Sequence, residues 1–480
     1  MSNNNSVSSR PLAVDLDGTL LRTDSLLELA LKAIGQGKWC PFITLGRGRA
    51  AFKQALADSV TLELDTLPWN DQVMGLINQV RASGRPVWLV TAANEALAGE
   101  VAAHFGFFEG VIASGSRNIK GDSKAEVLES KFGSKEFDYV GDAFCDLAVW
   151  SRCRIPYVVG NQRILYAKVK KLNPEAVNID SASQGALFSL LKALRPHQWS
   201  KNLLVFVAMF LSHQFNTATF FTSLAAFAIF CLCSSGGYLI NDLLDLESDR
   251  KHPQKNRRPF ASGQVGLGAG VAASFALFGS ALVLSLWLLP FTFLLVAVLY
   301  SVLTVSYSFH FKTVPLVDVI MLACLYTIRI VAGSCALLIS VSPWILSFSM
   351  FLFLAVAIVK RISELAMSDR RQLEINARRG YRPEDCSVLI ALTAGSICAT
   401  VLTILLYVTD ADSVSRLYDN AIILTFFCPV LFYWMARLLF LAVRGLLPHD
   451  PVLFALKDKV SYICLVIGLI VYVSATGFQL

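Results

Sequence analysis

Charged side chains are scarce in this sequence. Asp, Glu, Lys and Arg make up 16% of its 480 residues, against 55% hydrophobic residues, too little charge for an ordinary soluble chain of this length. The shortage is uneven. Residues 1–190 read as an ordinary globular sequence and residues 200–480 carry long apolar runs, so two domains in two different solvents are expected. Cysteine pattern is lacking as well. The 11 cysteines show no metal-ligand spacing, and Cys231, Cys233, Cys324, Cys398 and Cys464 fall inside apolar runs, where a thiol behaves as a small hydrophobe. Neither disulfides nor a zinc site is expected. Residues 1–10 hold no apolar run, so neither a signal peptide nor an anchor is expected there, and the front domain is expected to stay in the cytosol. The net charge of +7 does not call for a nucleic-acid partner, because the basic residues fall mainly between apolar runs, where orientation in a membrane accounts for them. Internal repeats and low-complexity tracts are also missing.

Apolar runs of about 20 residues, the length that crosses a bilayer as a helix, predict nine spans, at 198–216, 220–241, 267–288, 291–309, 315–338, 344–367, 386–408, 419–442 and 460–478. The first has a short apolar core, Leu203 to Leu211, and opens with Arg195, His197 and Lys201. Cations collect in alternate loops. Arg250, Lys251, Lys255, Arg257 and Arg258 follow the second span, Lys312 the fourth, Arg370, Arg371, Arg378, Arg379 and Arg382 the sixth, and Arg444, Lys457 and Lys459 the eighth, whereas the opposite loops hold Arg416 alone. The positive-inside rule then places the even-numbered loops and the front domain in the cytoplasm, and the C-terminus outside.

Carboxylates near a bilayer are costly unless they pair or bind something, which singles out Asn241-Asp242-Leu243-Leu244-Asp245-Leu246-Glu247-Ser248-Asp249-Arg250. On a continuous helix, Asn241, Asp242, Asp245 and Asp249 fall within an arc of about 100° while Glu247 points elsewhere. Three carboxylates on one face suit a divalent cation; hard oxygen ligands favour Mg²⁺, which bridges a departing diphosphate well. The alternative is a solvated helix end, which leaves unexplained the basic loop ending in Arg257-Arg258-Pro259. Asp318 and Arg329 share a face of the fifth predicted span, and Lys360, Arg361 and Glu364 share an arc of the sixth. Each set reads either as a structural ion pair or as part of a cytoplasm-facing cavity with cations opposite an acidic cluster, an arrangement that holds phosphate.

The pattern Asn241-Asp242-x-x-Asp245-x-x-x-Asp249 followed by Arg258-Pro259 resembles the first Asp-rich motif of the UbiA-type prenyltransferases. That resemblance implies an all-α membrane bundle of nine helices around a central cavity. It covers nearly all of residues 190–480 and is closest to the decaprenyl-phosphate phosphoribosyltransferase branch, through Leu194-Arg195-Pro196-His197-Gln198-Trp199-Ser200-Lys201-Asn202, Tyr238-Leu239-Ile240-Asn241-Asp242, Asp249-Arg250-Lys251-His252-Pro253, Ile328-Arg329-Ile330-Val331-Ala332-Gly333-Ser334 and Lys360-Arg361-Ile362-Ser363-Glu364-Leu365. Members that prenylate aromatic rings carry a second motif, Asp-x-x-x-Asp, on the sixth span; here Lys360-Arg361-x-x-Glu364 stands in its place, followed by Asp369. The resemblance thus implies attack by a polyprenyl phosphate on phosphoribosyl diphosphate. Mg²⁺ would be held by Asp242 and Asp245 with Asp249, and phosphate by Lys201, Arg258 and Lys360, with Asn241 and Arg329 completing the substrate site. The rival is transfer of a prenyl group from a prenyl diphosphate to an aromatic or other small acceptor.

In the front half, Leu12-Ala13-Val14-Asp15-Leu16-Asp17-Gly18-Thr19-Leu20 is a short apolar strand running into two carboxylates and a turn. Val87-Trp88-Leu89-Val90-Thr91 is a second strand ending in a hydroxyl, Lys124 lies beyond it, and Tyr139-Val140-Gly141-Asp142 ends a third, with Asp146 four residues on. The four motifs, in this order, resemble the haloacid dehalogenase-like phosphatases, which implies an α/β Rossmann-type sheet with a helical cap from residues 22–80. The resemblance implies Asp15 as nucleophile, Asp17 as acid and then base, Thr91 and Lys124 as phosphate ligands, and Asp15, Asp142 and Asp146 as Mg²⁺ ligands. A catalytically dead scaffold is the alternative.

The expected division is 1–160 for the phosphatase-like domain, 161–190 for a linker whose Lys168, Lys170 and Lys171 rest near lipid headgroups, and 191–480 for the transferase domain of the inner membrane. The expected partners are the lipid, phosphoribosyl diphosphate and the membrane; a homo-oligomer is left open.

Overall fold

The computed structural model describes residues 10–114, 119–160, 162–179, 185–213, 215–366, 380–410, 418, 420–447 and 451–476. Arg370, Arg371, Arg378, Arg379 and Arg416, which bear on orientation, and Asp369, which follows the Lys360–Glu364 segment, lie outside them. The chain divides into two compact units, one of residues 1–193 with 242–272 and one of residues 194–241 with 273–480.

The first unit is built on six parallel strands: β1 (Leu12–Val14), β2 (Val87–Asn94), β3 (Gly110–Ser114), β4 (Asp138–Gly141), β5 (Pro156–Val159) and β6 (Val177–Ile179), in the order β3-β2-β1-β4-β5-β6. A parallel sheet buries both faces, and the three residues of the central strand β1 are apolar and fully buried. In β1, alternate residues serve the two faces. Leu12 and Val14 pack with Leu29, Val73, Ile77 and Leu97 from helices on one side; Ala13 packs with Ala125, Leu128, Trp150 and Val169 from helices on the other. The sheet continues to Ile179, beyond the expected boundary at residue 160, because Tyr157, Val158 and Val159 pair with Val177, Asn178 and Ile179. Residues 22–82 supply the helices Ser25–Gly35, Cys40–Ile43, Arg49–Ser59 and Asp71–Ala82.

In the second unit, small residues let helices approach closely. On the helix Thr217–Leu244, a Cβ at Gly237 would lie 2.4 Å from Thr304 of the helix Phe291–Phe309, and Ser274 Oγ donates to the Gly236 carbonyl at 2.9 Å. Seven helices among the described residues are long and apolar enough to cross a membrane: Thr217–Leu244, Leu267–Leu288, Phe291–Phe309, Val317–Ala336, Pro343–Ala366, Pro383–Thr409 and Ala421–Val443. They correspond to seven of the nine expected spans. The last expected span is the shorter helix Lys459–Ala475, of 17 residues.

The first expected span differs in kind. Residues 198–216 do not form one α-helix; Pro196–Phe206 is a 3-10 helix and Val207–Leu211 a short α-helix. Eleven residues of 3-10 helix is long for so tight a winding, and tertiary contacts hold it. Trp199 Nε1 donates to Ser235 Oγ (3.0 Å), Asn202 Nδ2 donates to Ser234 Oγ (3.1 Å), and a Cβ at Gly333 would meet the Val205 carbonyl oxygen at 2.0 Å.

Candidate active sites

The sheet order reverses direction at β1, whose neighbours β2 and β4 leave on opposite sides, and the ends of such strands form a natural crevice. The register Val14 with Val140 and with Leu89 aligns the carboxyl ends of all three strands. Asp15, Thr91 and Asp142 therefore arise from one end of the sheet. Asp15 Oδ1 accepts from the Leu16 N–H at 2.9 Å, which fixes the carboxylate, and its Oδ2 accepts from Lys124 Nζ at 2.8 Å. Lys124, on the helix Asp122–Phe132, is buried and lies 3.7 Å from Asp146 as well. Oxygens of Asp15, Asp142 and Asp146 all lie within 4.8 Å of one another, and among the described residues no other His, Cys, Asp or Glu cluster meets that condition.

Like charges gathered in a buried site resist ionisation. Burial, reinforced by Asp15 and Asp146, pushes Asp142 up to about 7; burial and the Asp24 carboxylate push Asp17 to about 7 despite its bond from the Ser25 N–H at 2.7 Å. Burial opposes the charge of Lys124, but Asp15 and Asp146 outweigh it and its pKa is raised. Three hard oxygen donors with one lysine among them leave net negative charge, so the residues present fit a divalent cation.

Tyr139 and Lys53 belong to the site and were not singled out by sequence reasoning. The Tyr139 hydroxyl donates to Asp146 Oδ1 at 3.0 Å and accepts from Lys124 Nζ at 2.9 Å. It sits in a strand where an aromatic reads as sheet core, and its polar tip was the signal. Lys53, on the helix Arg49–Ser59, donates to the Ala92 carbonyl at 2.6 Å, next to Thr91. Thr91 is fully buried and its Oγ1 accepts from the Ala93 N–H at 2.9 Å.

The acidic segment after the second expected span is not one continuous helix. The helix ends at Leu244 and a new one, Leu246–Lys251, starts with Asp245 as its cap residue. Asp242, Asp245 and Asp249 do not gather at metal-ligand distance. Instead Arg258 Nη1 donates to Asp242 at 3.1 Å and to Asp249 at 2.5 Å. Burial, with Asp242 and Asp245 nearby, pushes Asp249 up to about 6 even against Arg258. Asp242, Asp245 and Asp249 offer hard carboxylate oxygens, the donor type that Mg²⁺ takes. Asn241 is half-buried at the end of the first helix.

Among the described residues of the second unit, Arg361 and Arg329 each centre a buried polar cluster. Arg361 Nε donates to Asp318 at 2.6 Å and its Nη1 to Glu364 at 2.5 Å, with the Tyr381 hydroxyl on the other Asp318 oxygen. Arg329 does not join Asp318: its Nε donates to Asn202 (2.8 Å), its Nη2 to the Tyr300 hydroxyl (2.9 Å) and its Nη1 to the Leu325 carbonyl. Asn202, Tyr300 and Tyr381 had no expected role there. Lys201 Nζ lies 5.7 Å from the centre of the Tyr326 ring, and Lys360 is half-buried.

Fold and site together define a multi-pass membrane protein with an α/β unit that carries a carboxylate-rich centre. The chain belongs to the UbiA prenyltransferase family, which residues 202–451 match. It is 35% identical over 463 residues to the uncharacterized protein y4nM of Sinorhizobium fredii, covering 94% of this chain and 88% of that one. It is 30% identical over 300 residues to a decaprenyl-phosphate phosphoribosyltransferase of Mycolicibacterium smegmatis, covering 61% and 93%. Among solved structures, a phospho-aspartyl intermediate analogue of phosphoserine phosphatase is similar to 38% of this chain over 98% of its own length, at 15% identity and a TM-score of 0.27.

Proposed function

We propose that the membrane half transfers 5-phosphoribose from phosphoribosyl diphosphate to a polyprenyl phosphate, and that the fused phosphatase removes the 5-phosphate from the product. The observation that carries the first part is Arg361. In the position where aromatic prenyltransferases are expected to bear a second pair of aspartates, this chain has a buried arginine engaged with both Asp318 and Glu364, leaving neither carboxylate free of a cation. A site poor in spare acid and rich in cations suits a donor with phosphates at both ends. The relatives named phosphoribosyltransferases support the same reading.

Asp242 and Asp245, with Asp249, are assigned to Mg²⁺, which would screen the charge of the leaving diphosphate. Arg258, and in the helical unit Lys201 and Lys360, are assigned to phosphate, with Asn241 beside the motif. Arg329 spends its donors on protein groups, so its role is to hold Asn202 and Tyr300 in place. The attacking phosphate oxygen is already anionic and needs no base.

In the front unit, Asp15 attacks phosphorus and the P–O bond to the sugar breaks. Asp17, whose raised pKa keeps a proton available near neutrality, protonates the departing oxygen and afterwards takes a proton from the water that hydrolyses the aspartyl phosphate. Thr91 and Lys124 hold the phosphoryl oxygens, and Mg²⁺ held by Asp15, Asp142 and Asp146 would offset the repulsion between carboxylate and phosphate. Both active centres are assigned to the cytoplasmic side of the inner membrane, on the alternation of basic loops.

A donor comparison tests this reading. Purified protein with Mg²⁺ is given either phosphoribosyl diphosphate with a polyprenyl phosphate, or a prenyl diphosphate with an aromatic acceptor. Product from the first pair alone supports the proposal; product from the second alone establishes a prenyltransferase.

A further inference from the structure

The first unit contains an open cleft of about 520 Å³ whose lining holds four cations, Arg22, Lys192, Arg250 and Arg257, and no carboxylate. Trp69 and Pro68 give it an apolar wall, and Asn256, Ser262 and Gln264 add amide and hydroxyl groups. None of these residues has a role in either centre described above.

The cations are not all spent. The Arg250 side chain is 6% exposed and bound through both terminal nitrogens to Glu28, at 2.6 and 3.1 Å. Arg22 reaches Asp71 at 3.2 Å, but Asp71 is 92% exposed, so the pair is screened. The Arg22 Nε is buried without a hydrogen-bond partner, a cost the fold accepts at few positions. Lys192 and Arg257 have no ion-pair partner among the described residues. The cleft therefore keeps a surplus of positive charge beside an aromatic face, in a volume of small-molecule size.

We propose that this cleft binds a phosphorylated sugar, with phosphate on Lys192, Arg257 and Arg22 and the sugar ring against Trp69. The ligand class is a phosphate ester, either free in solution or as the headgroup of a lipid. Because the lining carries no carboxylate, binding here needs no divalent cation, unlike binding at either aspartate-rich centre.

That difference supplies the test. Full-length protein in nanodiscs is dialysed against labelled ribose 5-phosphate in excess EDTA. One saturable site per chain is expected, weakened about tenfold or more by Lys192→Gln with Arg257→Gln and retained by Lys192→Arg with Arg257→Lys. Competition by polyprenyl phosphate added to the nanodiscs assigns the site to lipid headgroups, and its lack assigns it to soluble sugar phosphates. Absence of saturable binding in EDTA, or binding that the charge-removing pair leaves unchanged while circular dichroism shows an intact fold, overturns the proposal.

Discussion

Gly18 sits at φ +72° between Asp17 and Thr19, and a Cβ there would lie 2.2 Å from Asp142 Oδ2. Both the backbone angle and the space demand glycine, and any side chain must displace a carboxylate assigned to metal. Gly18→Ala is therefore expected to lower phosphatase turnover about a hundredfold, the scale on which a displacement of about 1 Å acts in an active site, while the fold persists. Turnover within a few-fold of wild type would contradict the geometry. Asp142 gives a second prediction. Its pKa is raised to about 7 by burial and by Asp15, so below pH 7 the folded protein holds a proton that a cation must displace. Mg²⁺ affinity measured by calorimetry is expected to rise about tenfold per pH unit below 7 and to flatten above it; a profile independent of pH between 5 and 7 would refute the assignment. Much at this scale was legible in the sequence, because short strands ending in Asp15, Thr91 and Asp142 announce themselves by apolar runs. Tyr139 was hidden, since alternation along a strand says which face a residue takes and not what its hydroxyl reaches.

Between elements, a well-buried ion pair of the first unit joins Glu28, on the helix Ser25–Gly35, to Arg250, on the helix Leu246–Lys251. The Thr23 hydroxyl adds a 2.7 Å bond to the same carboxylate. Removing one partner strands the other charge in a buried place, so Arg250→Ala and Glu28→Ala are each expected to cost about 3–5 kcal/mol. The double variant Glu28→Leu with Arg250→Met is expected to cost much less than their sum, since apolar groups replace both charges. Thermal unfolding of the four proteins measures the coupling, and additive losses would rule it out. This pairing of residues 222 positions apart could not be read from the chain. Nor could the break at Asp245: the wheel of carboxylates assumed one helix from Asn241 to Asp249, and the turn into a second helix changes which side chains meet. The first expected span failed for a related reason. Its apolar core was short, and the close approach of Val205 to Gly333, with the bonds of Trp199 and Asn202 to Ser235 and Ser234, holds a 3-10 helix in place of a continuous α-helix.

For the molecule as a whole, hydrophobic run length was the most dependable signal, because crossing a bilayer sets helix length directly; seven of the expected spans reappear nearly residue for residue. Less readable was the division into units. The segment 242–272 lies in sequence between two membrane helices, yet it packs with residues 1–193, since its charged side chains find Glu28, Lys32 and Glu63 there. Residues 1–193 and 242–272 thus form one folded unit. The proposed reaction is the transfer of phosphoribose to lipid. Its most direct test is Asp15→Asn protein, in which the phosphatase cannot process the product, incubated with Mg²⁺, a polyprenyl phosphate and phosphoribosyl diphosphate labelled in the ribose. Label entering the organic phase, and its loss in Asp15→Asn with Asp242→Asn, is the predicted result; intact, Mg²⁺-supplied protein that leaves all the label in water would contradict it.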